Sequence, residues 1–250
     1  MKTTITKLFM AIVAIVLFSA NLSAQQAETK YVMKNGVVAY QSEVSDIDSI
    51  IFYAPPTPEP EPTSGDGWVL INGVKWATCN VDAPGTFAAA PESAGMFYQW
   101  NRKIAWSATD PMVNSNGGTK WDISTSSGTE WTKANDPSPA GYRVPTFDEI
   151  QSLLDEDKVT NEWTDNYNGT GVSGRIFTDK NNGNSIFLPA VGFRSNSYVG
   201  TLYSAGSYGY YWSSTLGSTN NAYNLYFDSD GAGWCYRYRK NGQSVRPVAE

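Results

Sequence analysis

The chain has 250 residues, with 18 Lys and Arg against 24 Asp and Glu, two cysteines and no histidine. Without histidine, a Ser-His-Asp or Cys-His nucleophile, an H-E-x-x-H zinc site and any imidazole base are excluded. A net charge of −6 argues against a nucleic-acid partner, whose phosphates demand clustered Lys and Arg.

The first 24 residues have the layout of a secretory signal peptide. Lys2 and Lys7 precede an unbroken apolar run from Leu8 to Phe18, and Ala24 supplies a small residue for cleavage. At ~1.5 Å per residue the run reaches only about half of a ~30 Å hydrocarbon core, too short for a membrane anchor. The mature chain is therefore expected to be exported, to the extracellular space, the outer cell surface or the periplasm, with no transmembrane segment. Residues 25–53 read as a small β element, with Asn35-Gly36 as a hairpin turn and a second apolar run at 47–53. Residues 54–67 carry prolines at 55, 56, 58, 60 and 62, alternating with acids, and predict an extended spacer.

Residues 68–250 are long enough to bury a sizeable core. Strands are expected at 68–71, 74–78, 97–100, 174–178, 185–188, 222–227 and 234–239, with a hairpin turn at 181–184. One strong helix is signalled. Thr146 with Glu149 three residues on makes a capping box, and Ile150, Leu153 and Leu154 supply an apolar stripe. A shorter helical turn is read near Pro91 to Ala94. Few helices, many short strands and long Gly/Asn/Ser loops predict an α+β domain. Cys79 and Cys235 either form a disulfide, as export permits, or pack as two buried free thiols.

Several segments, in order, carry a resemblance: NGVKWATCNVDAPGT, AGMFYQWNR, DPSPAGYRVPTFDEIQSL, GNSIFLPAVGFR, GSYGYYWSST, NAYNLYF and NGQSVRPVAE. Together they resemble the Fibrobacter succinogenes major paralogous domain, found in secreted and surface proteins, many from the Bacteroidetes. VSDIDSIIFY is similar to a short leader element of exported Bacteroidetes proteins. YRVPTFDEI and the SVRPV ending resemble elements of formylglycine-generating-enzyme-like domains. The resemblance implies a C-type-lectin-like fold in which the first and last strands pair, a closure that would bring the Cys79 and Cys235 regions nearer. The departures limit what carries over. Ser138 and Pro247 stand where relatives usually have cysteine, and a formylglycine-generating site needs two late cysteines where only Cys235 exists. The E-P-N or Q-P-D tripeptide and the W-N-D element of sugar-binding C-type lectins are absent, so fold carries over and sugar chemistry does not.

The candidate binding region runs from Tyr198 to Tyr238, which holds 12 aromatics in 41 residues among Gly, Ser and Asn. Such mixtures give rigid amphipathic contact beside adaptable hydrogen bonding, and ring faces stack on sugars while Asn takes hydroxyls. The candidate ligand-binding residues are Tyr208, Tyr210, Asn220, Asn221, Trp234 and Tyr236, with Tyr208 and Tyr210 expected to be exposed in a Gly/Ser loop. Strand alternation at 223–227 and 234–238 sends other rings into the core, and Trp212 is expected to be buried. Asp228-Ser229-Asp230-Gly231 matches the opening of a calcium loop but lacks its closing Glu, and reads as a turn. Glu149 is committed to the helix cap, and no carboxylate pair is spaced for hydrolysis. Arg143, Arg194 and Arg246 read as structural partners of carbonyls and acids. No catalytic residue, metal or cofactor is assigned. The expected function is a non-catalytic exported binding or adhesion module for a glycan or surface polymer. The alternatives are a structural or protein-binding part of a surface assembly that meets a cell-surface protein, or a hydrolase with an unrecognised carboxylate pair.

Overall fold

The computed structural model describes residues 67–250 and the backbone of two earlier strands, β1 (Thr29–Lys34) and β2 (Val37–Glu43). The chain divides into two units, Met1–Pro58 and Glu59–Glu250. In the first, β1 and β2 pair antiparallel with Lys34 opposite Val37; the expected turn at Asn35-Gly36 lies outside the described residues. The expected signal peptide, the run at 47–53 and residues 54–66 of the spacer lie outside the described residues.

The second unit begins with β3 (Trp68–Ile71) and β4 (Val74–Ala77), then β5 (Met96–Gln99) and β6 (Ala105–Ser107). Next come β7 (Tyr142–Arg143) and helix α1 (Phe147–Leu153). β8 (Val159–Thr164), β9 (Gly174–Asp179) and β10 (Ser185–Pro189) form one antiparallel sheet, with β9 in the middle. They are followed by β11 (Phe193–Ser195), β12 (Thr201–Tyr203), β13 (Gly209–Leu216), β14 (Asn221–Phe227) and β15 (Ala232–Tyr238). The chain closes with β16 (Gly242–Gln243) and β17 (Val248–Ala249).

The two closing strands knit distant parts of the domain. β16 enters between β11 and β5 in the sheet β12-β11-β16-β5-β6, and β17 enters between β4 and β7 in the sheet β3-β4-β17-β7. The first and last strands of the domain thus share a sheet, with Val248 opposite both Trp76 and Arg143.

The sheet β13-β14-β15 separates two apolar cores. Directly opposed residues of an antiparallel pair share a face, so Tyr211 and Leu225 point one way and Trp212 and Asn224 the other. On the first side Tyr211, Leu225 and Phe227 meet Ile150 and Leu153 of α1, together with Trp76, Phe177 and Leu188. On the second, Trp212 and Ala222 pack with Tyr98, Trp100 and Val245. The Trp212 indole N–H donates to the Tyr98 carbonyl at 2.7 Å, and that of Trp100 to the Ser213 carbonyl at 2.9 Å. Two of the largest buried rings therefore bury no orphan donor. A third core gathers Phe97, Trp106 and Trp121.

Helix α1 starts where its local code dictates. Thr146 Oγ1 accepts from the Glu149 N–H at 3.3 Å and Glu149 Oε2 accepts from the Thr146 N–H at 2.7 Å, which closes the capping box. Three guanidinium groups, those of Arg194, Arg246 and Arg239, clamp loops from inside. Arg194, fully buried, donates to the carbonyls of Ser107, Thr109 and Gly200 and to Asp110. Arg246 holds Asn80 and the carbonyls of Ala77 and Thr78. Arg239 holds the carbonyls of Thr219, Ser127 and Gly128 and lies 4.3 Å from the Trp100 ring centroid. The structural reading of Arg194 and Arg246 matches these contacts.

Two expectations are corrected, the fold class and the helical turn, and the open question of the cysteines is answered. The α+β, C-type-lectin-like assignment gives way, among the described residues, to a mostly β fold with one short α-helix and several antiparallel sheets. Stretches read as long loops are strands, β8 and β11–β13 among them, because each finds its ladder in an adjoining strand of the chain, β8 in β9, β11 in β12 and β13 in β14, which satisfies their N–H and C=O groups. Residues 91 and 92 form a turn rather than a helical one. Cys79 and Cys235 are both free and unbridged. The Cys235 thiol instead donates to Asn224 Oδ1 at 3.1 Å across the β14–β15 ladder. Among the described residues, no helix is long and apolar enough to cross a membrane.

Candidate functional site: an aromatic face on the edge strand β15

Strand β15 borders only β14 in its sheet. Seven consecutive pairs, Phe227–Ala232 through Asn221–Tyr238, join the two without a bulge. The connecting turn at 228–231 is fixed twice: Asp228 Oδ1 accepts from the N–H groups of Asp230 and Gly231, and Arg175 donates to the Asp228 carbonyl at 2.7 Å. Asp228 is thereby spent on its own turn.

Period-two alternation puts Trp234, Tyr236 and Tyr238 on one face of β15, at ~6.7 Å spacing along the strand. They are 46%, 59% and 56% exposed. Their cross-strand neighbours are Leu225, Tyr223 and Asn221. The rings also rest on the start of α1. Phe147, the first helical residue, stacks on Tyr223 with centroids 4.1 Å apart and meets Trp234 edge-on at 5.1 Å. Tyr223 in turn meets Trp234 at 5.6 Å and Tyr236 at 6.3 Å, both edge-to-face. The Thr215 hydroxyl accepts from the Phe147 N–H at 2.9 Å and so ties the helix start to β13. The exposed rings are thus held from below by a capped helix and a bulge-free ladder, which lowers the side-chain entropy lost when a ligand covers them.

The six candidate residues do not form one site. Trp234, Tyr236 and Asn221 share the aromatic face, and the Asn221 amide donates to Ser218 Oγ at 3.1 Å. Asn220 is exposed in the turn before β14, where its carbonyl accepts from the Arg239 N–H. Tyr208 and Tyr210 belong to the other face. Tyr210 opposes Tyr226, which opposes Gly233, a residue of opposite parity to Trp234. Tyr210 is only 7% exposed, a correction to its expected exposure, and Tyr208 is half-buried and stacks beside it at 6.0 Å. Tyr210 also meets Phe193 edge-on at 4.9 Å, and the Arg237 guanidinium lies 5.5 Å from its centroid. Burial pushes the Tyr210 phenol up, against the pull of Arg237. Burial likewise raises the Cys235 thiol, which opposes any nucleophilic role at neutral pH.

Three contributors escaped the sequence reading. Tyr238 was read among the rings that strand alternation sends into the core, and is instead 56% exposed. Tyr223 was legible as a strand residue, yet only the register shows it beneath Tyr236. Phe147 gave no signal beyond an apolar residue at the first helical position.

A family model described as a domain of unknown function (DUF8237) matches residues 172–248. No curated protein and no solved structure matches the chain. The matched span takes in β9 through the β17 residue Val248, including the three exposed rings of β15, and leaves out α1 with Phe147. Among the described residues, no group of three or more Cys, Asp or Glu side chains is placed to hold a metal ion.

Proposed function

We propose that this chain is a non-catalytic, exported binding module that takes a glycan chain across the aromatic face of β15. The observation that carries the reading is the row of Trp234, Tyr236 and Tyr238, exposed along one strand and buttressed by Tyr223 and Phe147. A linear polymer presents successive ring faces along its length, and a row of rigid aromatic rings offers each one an apolar surface. Asn221, Asn220 and Ser218 at one end of the row add amide and hydroxyl groups for the polar rim of the ligand. The absence of histidine and the commitment of Glu149 to a helix cap support a non-catalytic role. The Lys2, Lys7 and Leu8–Phe18 pattern supports export, and the ordered motif resemblance to secreted and surface proteins supports presentation outside the cell.

A glycan array, followed by pull-down on insoluble polysaccharides, tests the reading. Trp234→Ala and Tyr236→Ala are expected to weaken retention roughly tenfold or more each, whereas Tyr208→Ala, on the opposite face, leaves it unchanged. Full retention by the Trp234→Ala, Tyr236→Ala double variant refutes the proposal.

A further inference from the structure

The outer edge of β15 carries a second message, independent of what the ring faces bind. In an antiparallel ladder, hydrogen-bonded and non-bonded pairs alternate. The Asp228 N–H donates to the Gly231 carbonyl and the Arg239 N–H to the Asn220 carbonyl. These two bonds set the phase of the β14–β15 ladder, so that residues 233, 235, 237 and 239 bond inward to β14. The N–H and C=O groups of Trp234 and Tyr236 therefore point away from β14, to the open edge. Among the described residues they have no backbone partner, and the Tyr238 carbonyl is met there only by the Asn241 N–H. The usual protections of an edge are missing, since β15 has no proline and no bulge. Its one charged side chain, Arg237, lies on the opposite face against Tyr210.

We infer that β15 pairs antiparallel with β15 of a second copy of this chain, about a two-fold axis at Cys235. In this register Trp234 exchanges both backbone hydrogen bonds with Tyr236 of the partner, which uses the free groups at the centre of the edge. The charges at the two ends of the strand select this occupant. Asp228 and Asp230 lie just before β15, and Arg237 and Lys240 lie at its end and just after it. Antiparallel pairing sets the acidic end of each copy beside the basic end of the other, with Asp230 level with the partner's Lys240, whereas parallel pairing sets like charges together. Residues directly opposed across the axis share a face, so the three exposed rings of each copy join into one continuous six-ring surface. Cys235 meets its own symmetry mate at a non-bonded pair, where Cα atoms stand ~4.5 Å apart, within the span that a disulfide bridges.

The test uses the full chain without any glycan, so that its outcome is independent of the ligand. Light scattering is expected to give twice the chain mass at high concentration and the chain mass on dilution. Tyr236→Pro removes one outward N–H while sparing the inward ladder, and is expected to leave a monomer of unchanged circular dichroism. Asp230→Lys and Lys240→Asp are each expected to weaken the dimer by about three- to tenfold, and the double variant to restore it. In the Cys79→Ser background, oxidised glutathione accepts the two electrons and two protons of a pair of Cys235 thiols, is released as two reduced glutathiones, and leaves a covalent dimer on a non-reducing gel. The same treatment of Cys235→Ser gives none. A chain that stays monomeric at every concentration overturns the inference, as does a dimer indifferent to the charge exchange and not linked through Cys235.

Discussion

Replacing Glu149 by Gln isolates the interaction that starts helix α1. Glu149 Oε2 accepts from the Thr146 N–H at 2.7 Å and from Arg143 Nη1 at 2.8 Å, while Oε1 accepts from Arg143 Nη2 at 2.6 Å. Gln keeps one acceptor for Thr146 but turns an amide toward Arg143. A capping interaction contributes ~1 kcal/mol, and a charge-assisted pair ~1.5–3 kcal/mol when sheltered. Arg143 is 36% exposed, so the pair must be discounted for solvent screening, and the combined loss is about 1–2 kcal/mol. For a domain of this size that lowers the melting temperature by roughly 3–6 °C. The pH dependence is diagnostic. Burial alone would raise the Glu149 carboxyl, but the Arg143 pair and the Thr146 bonds outweigh it and hold the group below its ordinary range. The unfolded chain then binds the proton more readily than the folded one. The stabilisation is present at neutral pH and is lost as pH falls below about 4 and through the depressed folded value. Urea midpoints of both proteins between pH 7 and pH 3 measure this, and the gap between them should close on acidification. A gap of the same size at pH 3 as at pH 7 refutes the assignment.

Gly209→Ala is expected to destabilise the domain by about 1–3 kcal/mol, because a Cβ there collides with the ring of Phe227 in the first core, where the first residue of β13 has no room to shift; thermal melting reads this directly, and an unchanged melt contradicts the packing. Arg194→Lys removes the fork that holds three loop carbonyls at once, and is expected to cost ~3 kcal/mol or more and to open the segment 107–111 to limited proteolysis, whereas a wild-type cleavage pattern would remove that role.

Legibility in the sequence followed the range of the forces involved. Helix α1 was readable because its capping box and i, i+3, i+4 stripe lie within nine residues. The edge strand β15, with one wet face, and its neighbour β14 announced themselves by alternation of aromatic with polar or small residues. β13 did not, because Gly209 to Ser213 are buried on both faces and no period survives. That one omission misplaced Tyr210 in an exposed loop and, with it, merged two faces of a sheet into a single site. Parity along β15 alone separates Trp234 and Tyr236 from Cys235 and Arg237. Relating Tyr210 to either set requires the registers across two strand pairs, which depend on turn lengths and partner choice rather than on local composition. The buried guanidinium groups were correctly read as structural, yet their partners are carbonyls up to 169 positions away, beyond any local pattern.

The placement of β16 and β17 bears on the order of events during synthesis. Both are two-residue segments that fill central positions between strands made far earlier, at 74–77 and 96–99. Two sheets therefore stay open along their middles until residues 242–249 have left the ribosome, and native contacts of such long sequence separation form late. A chain built this way cannot lock into its final shape before residues 242–249 are available to fill those central positions. The same short segments that complete the fold thus act as a timer for it, since neither sheet can close before they emerge.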